Sequence, residues 1–274
     1  SDGFNDPATQ TLIINIRNLN EDVQISARYI ETISAGGHHT CALVNTDDAD
    51  IKDVKCWGWN GYGQTDVPNL INPIQVSAGI DHTCAIDETG VVCWGSSANS
   101  ILDVPTLLNP KMVSAGDSNN CAIDDTGVVC WGGDGGGVND VPYMNSPSFV
   151  TVGSSLACAI ELDGDGLTCW GSYSVGGTSK PTLSNPSQVD AKLSGGVCAI
   201  DDSGVVCWGR NPIYPNNHIP TLSNPIWVSR GDADACAIDD NGLICWGQNY
   251  SGTSGPTHPL STPYMESPIQ VSRG

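Results

Sequence analysis

Basic residues are scarce in this chain of 274 residues, which has 10 lysines and arginines against 30 aspartates and glutamates. The formal net charge of −20 repels the phosphates of nucleic acids and of anionic membrane surfaces. Long hydrophobic runs are also missing, and no stretch of about eighteen apolar residues could form a transmembrane helix. We therefore expect no nucleic-acid partner and no insertion into a membrane.

Helical periodicity and catalytic signatures are absent as well. Apolar residues do not recur with a 3.6-residue period, and 32 glycines and 17 prolines interrupt the chain. There is no Gly-x-Ser-x-Gly motif, and every cysteine is used in a repeated pair, so no nucleophile stands out. We predict that the protein is not an enzyme.

The segment 1–6 has no signal-peptide features, so we expect that a signal was removed or that the chain is a fragment of a longer protein.

The chain instead repeats one cysteine phrase. Six times, Cys-Ala is followed by a polar turn and then by Cys-Trp-Gly, and the second cysteines recur every 37 to 39 residues. In the copy at 84–93, CAIDETGVVC, two β-branched runs flank an Asp/Gly turn, which predicts a hairpin with the cysteines opposite each other. No Cys-x-x-Cys occurs, so disulfides are favoured over a zinc site. The predicted pairs are Cys41–Cys56, Cys84–Cys93, Cys121–Cys130, Cys158–Cys169, Cys198–Cys207 and Cys236–Cys245. Paired cysteines in this number indicate an extracellular or cell-surface location.

Each repeat also has a strand phrase upstream of its first cysteine. Residues 76–79, VSAG, follow an Asn-Pro turn at 72–73, and the other repeats have related sequences. Each unit is thus three short antiparallel strands, which bury an apolar face only by stacking on neighbouring units. The repeat length fits a propeller blade, so we predict an all-β propeller over 30–274, preceded by an N-terminal strand arm at 1–29. The repeated tryptophans are expected to pack between blades.

A family resemblance supports this interpretation. Residues 57–64, WGWNGYGQ, preceded by 34–43, SAGGHHTCAL, resemble the regulator of chromosome condensation repeat. The resemblance extends over about 30–274 as a repeat period, and it implies a propeller of seven blades. The cysteine pairs resemble the secreted bacterial branch of that family. We therefore do not transfer the nuclear exchange-factor role to this chain.

The two chain ends predict a composite seventh blade. Residues 267–274 begin a seventh repeat, and candidate strands at 11–16 and 23–27 lie in the N-terminal arm. These strands would close the propeller of their own chain, or would be donated to another copy and give a fibre. The residues expected to mediate assembly are Leu12, Ile14, Ile16, Val23, Ile25, Ile269 and Val271. We interpret the protein as an acidic structural protein that forms a homopolymeric filament; the alternative is a monomeric propeller that binds an extracellular protein or glycan on its axial face.

Polar residues in two kinds of loop are candidate sites. Loops before the first cysteines would converge on the axial face, and they carry His38, His39, Asp81, His82, Asp232 and Asp234. These residues would bind a ligand, or they would satisfy backbone groups of the turns. Asp163 and Asp165 alternate as carboxylates do in calcium loops, although hairpin turns use the same residues. Calcium is therefore kept as an alternative, and no other cofactor is expected.

Overall fold

The computed structural model describes residues 11–12, 25–26, 30–45, 52–162, 166–172, 180–191, 196–209, 219–230 and 234–247. These residues are all-β, with one two-stranded sheet and six three-stranded antiparallel sheets. Their one helical segment is a 3₁₀ turn at Ala98–Ser100. None of the described helical structure has the length and apolar character needed to cross a membrane.

The six larger sheets share one strand order, in which the middle strand pairs with both neighbours. The two-stranded sheet consists of β1 (Thr11–Leu12) and β2 (Ile25–Ser26). Blades one to three consist of β3 (Ile30–Ala35), β4 (His39–Asn45), β5 (Lys52–Gly58), β6 (Gln75–Ala78), β7 (His82–Asp87), β8 (Gly90–Gly95), β9 (Met112–Ala115), β10 (Asn119–Asp124) and β11 (Gly127–Gly132). Blades four to six consist of β12 (Pro147–Val152), β13 (Leu156–Glu161), β14 (Leu167–Gly171), β15 (Gln188–Ala191), β16 (Gly196–Asp201), β17 (Gly204–Gly209), β18 (Trp227–Arg230), β19 (Asp234–Asp239) and β20 (Gly242–Gly247).

The hairpin turns are held by an aspartate at the end of the middle strand. One carboxylate oxygen of Asp87 accepts hydrogen bonds from the backbone N–H and the hydroxyl of Thr89, at 2.7 and 2.6 Å. The other oxygen accepts the N–H of Ile71 at 2.8 Å and so fixes the connector that precedes the blade. Burial alone would raise the pKa of Asp87, but the hydrogen bonds from Thr89, Ile71 and Gly90 outweigh it and lower the pKa. Asp124 and Asp201 make the same turn in blades three and five.

The six predicted disulfides are confirmed. In every blade the two cysteines are directly opposite each other on the second and third strands. The bonds are Cys41–Cys56, Cys84–Cys93, Cys121–Cys130, Cys158–Cys169, Cys198–Cys207 and Cys236–Cys245. The longer turns of blades one and four leave this register unchanged, because an even number of extra residues keeps each side chain on its own face of the sheet.

The first strand of each blade contacts the first strand of the next, around a common axis. These inner strands have one edge without a ladder partner, and side chains of the preceding blade cap it. Gln75 bonds both the N–H and the C=O of Val113, at 2.8 and 3.1 Å, and the hydroxyl of Ser77 accepts the N–H of Ala115 at 3.0 Å. At the other four junctions the Ser77 bond is repeated by Ser34 with Ala78, Ser114 with Val152, Thr151 with Ala191 and Asp190 with Arg230. We call these bonds the inner-edge latches, and they protect edges that would otherwise pair with other chains.

The repeated tryptophans are buried, and three of them are fixed between blades as predicted. Trp94 of blade two packs against Leu43 and Val54 of blade one. Its indole N–H donates to the carbonyl of Gln64 in the connector between these blades, at 2.9 Å. Trp131 and Trp170 make the same bond to the corresponding connectors, at 3.1 and 2.7 Å. Each tryptophan therefore joins the core of its own blade to the preceding blade and connector.

The predicted N-terminal strands pair with each other. Thr11 is opposite Ser26, and Leu12 is opposite Ile25, in an antiparallel arrangement. The other residues predicted to mediate assembly lie outside the described part of the chain: Ile14, Ile16, Val23, Ile269 and Val271. Six blades are described, so the composite seventh blade stays a prediction.

Candidate binding face

One end of the propeller is formed by the loops between first and second strands and by the segments that leave the third strands. They meet there because His39 pairs with Gly58 and His82 pairs with Gly95. We call this end the loop face; its described segments are 36–38, 59–66, 79–81, 96–103, 116–118, 133–140 and 153–155. The hairpin turns lie at the opposite end. The convergence of these loops at one end is the arrangement expected from the sequence.

Two of the predicted ligand residues are buried at contacts between blades. His39 is 3% exposed and His82 is 0% exposed. The Nε2 atom of His39 lies 2.8 Å from the hydroxyl oxygen of Thr83, and Nε2 of His82 donates to Oδ1 of Asn120 at 2.7 Å. Because Thr83 and Asn120 belong to the following blades, both imidazoles join neighbouring blades.

Burial keeps both of these imidazoles neutral at physiological pH. It lowers the pKa of His39 to about 4, helped by the nearby His82, and it also lowers the pKa of His82. A buried neutral imidazole bonded to the next blade is a structural group, although its partner is a side chain of that blade and not a backbone group of the turns. Their binding of a ligand stays a prediction.

Of the other two described candidates, His38 is exposed and Asp81 is half-buried. They occupy equivalent positions in blades one and two, with Nδ1 of His38 3.7 Å from Oδ1 of Asp81. The ring of Trp59 lies edge-to-face with His38, at a centroid distance of 5.6 Å, and with Tyr62, at 5.2 Å. Trp59 is 47% exposed and Tyr62 is 55% exposed. We call His38, Trp59 and Tyr62 the aromatic patch.

The sequence analysis missed Trp59 and Tyr62 as site residues. Both lie in the stretch that resembles the family repeat, and that pattern alone does not distinguish them from structural residues. A comparison between repeats distinguishes Trp59, because the position after Trp-Gly is Trp59 in blade one but Ser96, Gly133 or Ser172 in blades two to four. Each of these residues donates its N–H to the neighbouring loop in the same way, so the positions are structurally equivalent.

The loop face is acidic. Its described segments carry six carboxylates, none of them buried, and no lysine or arginine: Asp66, Asp81, Asp103, Asp117, Asp134 and Asp140. The four described lysines lie elsewhere: 52 and 55 are on the outer strand of blade one, and 111 and 180 are in connectors that precede first strands. The described part of this face therefore has a strongly negative potential.

The channel along the axis is narrow. Its cavity of about 100 Å³ is lined by inner-strand residues that include Gln75, Ser114 and Gln188. Pockets that enclose a small molecule are usually about 300–1,000 Å³. The channel is therefore too small to enclose a ligand of that kind.

The remaining predicted site residues lie outside the described part of the chain, wholly or in their side chains. Asp163, Asp165 and Asp232 are outside it, and Asp234 begins β19 with a side chain that is not described. Within the described residues, no group of three or more histidine, cysteine, aspartate or glutamate side chains is arranged to hold a metal ion. Calcium binding at 163–165 stays a prediction.

Comparison with known proteins agrees with this architecture. Residues 30–64 and 74–100 match the model of the regulator of chromosome condensation (RCC1) repeat. The CRINKLY WD40 ectodomain of the receptor kinase ACR4 from Arabidopsis thaliana is 25% identical, with a TM-score of 0.63, and the match covers 81% of this chain and 85% of that one. No curated protein matches the sequence.

Two further solved structures share the fold. The ectodomain of the receptor kinase CR4 from Physcomitrella patens is 22% identical with a TM-score of 0.65; the match covers 79% of this chain and spans 63% of that ectodomain. Prp20p from Saccharomyces cerevisiae, studied for its binding to Gsp1p and histones, is 17% identical with a TM-score of 0.63, covering 78% of this chain and 71% of that one. With the six disulfide-linked sheets, these likenesses identify the fold as a disulfide-stapled β-propeller, in which residues 30–64 and 74–100 match the regulator of chromosome condensation repeat.

Proposed function

We propose that this chain is an extracellular, non-enzymatic interaction protein that binds a protein partner on its loop face. The observation that carries the proposal is the exposed aromatic patch within an acidic face. Exposed Trp and Tyr side chains are typical of protein interfaces, where they supply contact area at low entropic cost. The disulfides support an oxidising compartment, and the likeness to receptor ectodomains supports a binding role outside the cell.

The opposite end of the propeller is a weaker candidate for a binding surface. Asp87, Asp124 and Asp201 are used there to hold the turns and connectors, so these carboxylates already have hydrogen-bond partners. A glycan is the alternative ligand for the loop face, because Trp and Tyr rings also stack on sugars. The acidity of the face favours a protein with a basic surface.

The experiment compares the unmodified chain with two charge variants as bait for proteins of the native extracellular fraction. Asp103→Lys combined with Asp140→Lys reverses two exposed charges of the loop face outside the aromatic patch. Ile74→Lys changes an exposed residue at the other end and serves as the control. We expect the double variant to lose the captured protein and the control to keep it, with both variants melting at the same temperature as the unmodified chain. Equal capture by all three would contradict the proposal.

A second candidate function is self-assembly through the terminal strands. The pairing of β1 with β2 supports it, because the N-terminal arm is then a ready-made two-stranded unit. The repeat period gives Gln270 and Ser272 the sequence positions of Gln75 and Ser77, which form the inner-edge latches to blade three. A seventh inner strand with these residues would cap the N–H groups of Ile33 and Ala35 in blade one, in the same chain or in another copy.

Light scattering and electron microscopy of the full chain and of a chain without residues 1–27 test this assembly. If the arm is donated to a neighbour, the full chain forms filaments, since head-to-tail donation does not close. The deletion then leaves monomers with the same disulfides. A monomeric full chain whose melting temperature falls on deletion would show that the arm closes its own propeller.

A further inference from the structure

We propose that the aromatic patch, together with Asp81, binds a lysine or arginine side chain displayed by the protein partner. This inference rests on the proposed function of the loop face and specifies the chemistry that the face recognises. It is carried by the geometry of the patch, by its restriction to blade one among the compared repeats, and by the charge around it.

The loop that presents Trp59 and Tyr62 is held in place before any partner arrives. The N–H of Tyr62 donates to Oε1 of the buried Gln64 at 2.9 Å. Asn60 accepts the N–H of Thr65 at 2.9 Å and donates to Asp66 at 2.8 Å, which closes the loop on itself. The ring of Trp59 lies directly against Gly61, where a Cβ atom would come within 2.2 Å of the indole. A partner therefore meets aromatic groups that need little ordering on binding.

The patch belongs to blade one and is not repeated in the loops of blades two and three. The positions of Trp59 and Tyr62 are taken by Ser96 and Asn99 in the next repeat, and by Gly133 and Gly136 in the one after it. The position of His38 and Asp81 is taken by Ser118 in blade three. An aromatic patch that occurs once among the described loops of this face is suited to one anchoring side chain of a partner.

Charge decides which kind of side chain this is. Trp and Tyr faces attract cations through their quadrupoles, and Trp is the best of the aromatic residues in this respect. Asp81 lies beside the patch, with its Oδ1 atom 3.7 Å from Nδ1 of His38, and Asp66 lies in the loop that carries Trp59 and Tyr62. An acidic ligand would be repelled by these carboxylates, and a purely apolar group would gain nothing from them. A lysine or arginine side chain uses the rings and the carboxylates together.

The test measures by isothermal titration calorimetry the binding of acetylated tetra-arginine peptide to the full chain, with tetra-glutamine as the reference peptide. Trp59→Ser and Tyr62→Asn replace the patch by the residues at the same sequence positions of the next repeat. Tyr143→Ser removes an aromatic residue that is 91% exposed elsewhere on the molecule and is the matched control. We expect tetra-arginine to bind, tetra-glutamine not to bind, and Trp59→Ser to weaken binding by about 3- to 30-fold.

Three results would overturn the inference. Unchanged affinity in both patch variants would mean that the acidic face binds cations without the aromatic rings. Equal binding of tetra-glutamine would remove the charge requirement. Binding of a neutral oligosaccharide such as cellotetraose, with the same loss in Trp59→Ser and no competition by tetra-arginine, would identify a sugar site.

The outcome is separable from that of the proposed function. If Asp103→Lys with Asp140→Lys abolishes partner capture while Trp59→Ser leaves tetra-arginine binding intact, the loop face binds its partner without this anchor. If tetra-arginine binding depends on Trp59 but the charge variants capture the partner normally, the cation site exists and the proposed use of the whole face is wrong.

Discussion

The two buried histidines illustrate how single residues of this propeller tie blades together. His39 and His82 occupy the same position in successive blades, and each imidazole bonds a side chain of the next blade. Blade three has Asn119 at this position, and its amide N–H donates to the backbone of blade four at 3.3 Å. A neutral polar group is what the position requires, and a charged one would be costly there.

Protonation of these histidines should make stability depend on pH. Their pKa values are lowered in the folded protein from the ordinary value of 6.5, to about 4 in the case of His39. As pH falls below about 6.5, the unfolded chain takes up protons first, so the free energy of unfolding decreases by up to about 1.4 kcal/mol per pH unit for each histidine. We expect His39→Asn with His82→Asn to flatten this slope between pH 6.5 and 4 in urea unfolding curves.

The control for this prediction is Ile74→Ala, which changes an exposed side chain that has no titratable group. It should leave the slope as it is. The turn aspartates act in a lower window, because the lowered pKa values of Asp87, Asp124 and Asp201 give stability that is lost only as pH falls below about 4. An unchanged slope in the double variant would mean that the histidines are not the groups that titrate.

At the scale of strands, the inner-edge latches compensate for edges that have no ladder partner. Gln75→Ala should leave both backbone groups of Val113 without their partner, which costs about 1–3 kcal/mol of unfolding free energy. The neighbouring Ile74→Ala is the matched control, because Ile74 is 56% exposed and should change stability by less than about 0.5 kcal/mol. Denaturant unfolding of both variants checks this, and equal losses would contradict the capping role of Gln75.

The sequence was sufficient to predict the strands, the hairpin register and the disulfides. Local signals carry these features: Asp87 and Gly90 specify their turn, and Cys84 and Cys93 report the pairing across it. The latches were not predicted, because Gln75 and Ser77 bond residues 38 positions away and their partners depend on how blades stack. Trp59 and Trp57 likewise look alike in sequence, and only their packing separates an exposed ring from a buried one.

At the scale of the whole molecule, charge should exclude nucleic acids as partners. With a net charge of −20 and no described lysine or arginine on the loop face, electrostatic repulsion opposes binding to duplex DNA. We expect no complex in a fluorescence anisotropy titration at about 0.15 M salt. A complex that weakens with rising salt would show that the chain has a basic surface that outweighs its net charge.

The inner-edge latches all run in the same direction, from the side chains of one blade to the backbone of the next. Every described junction is therefore built from the same donor and acceptor positions of the repeat. If a whole repeat were duplicated or lost by recombination between its own coding sequences, the new neighbours would meet with complementary groups already in place. Gene rearrangement could thus change the number of blades while each new junction forms the same hydrogen bonds. Whole repeats could be exchanged in protein design for the same reason.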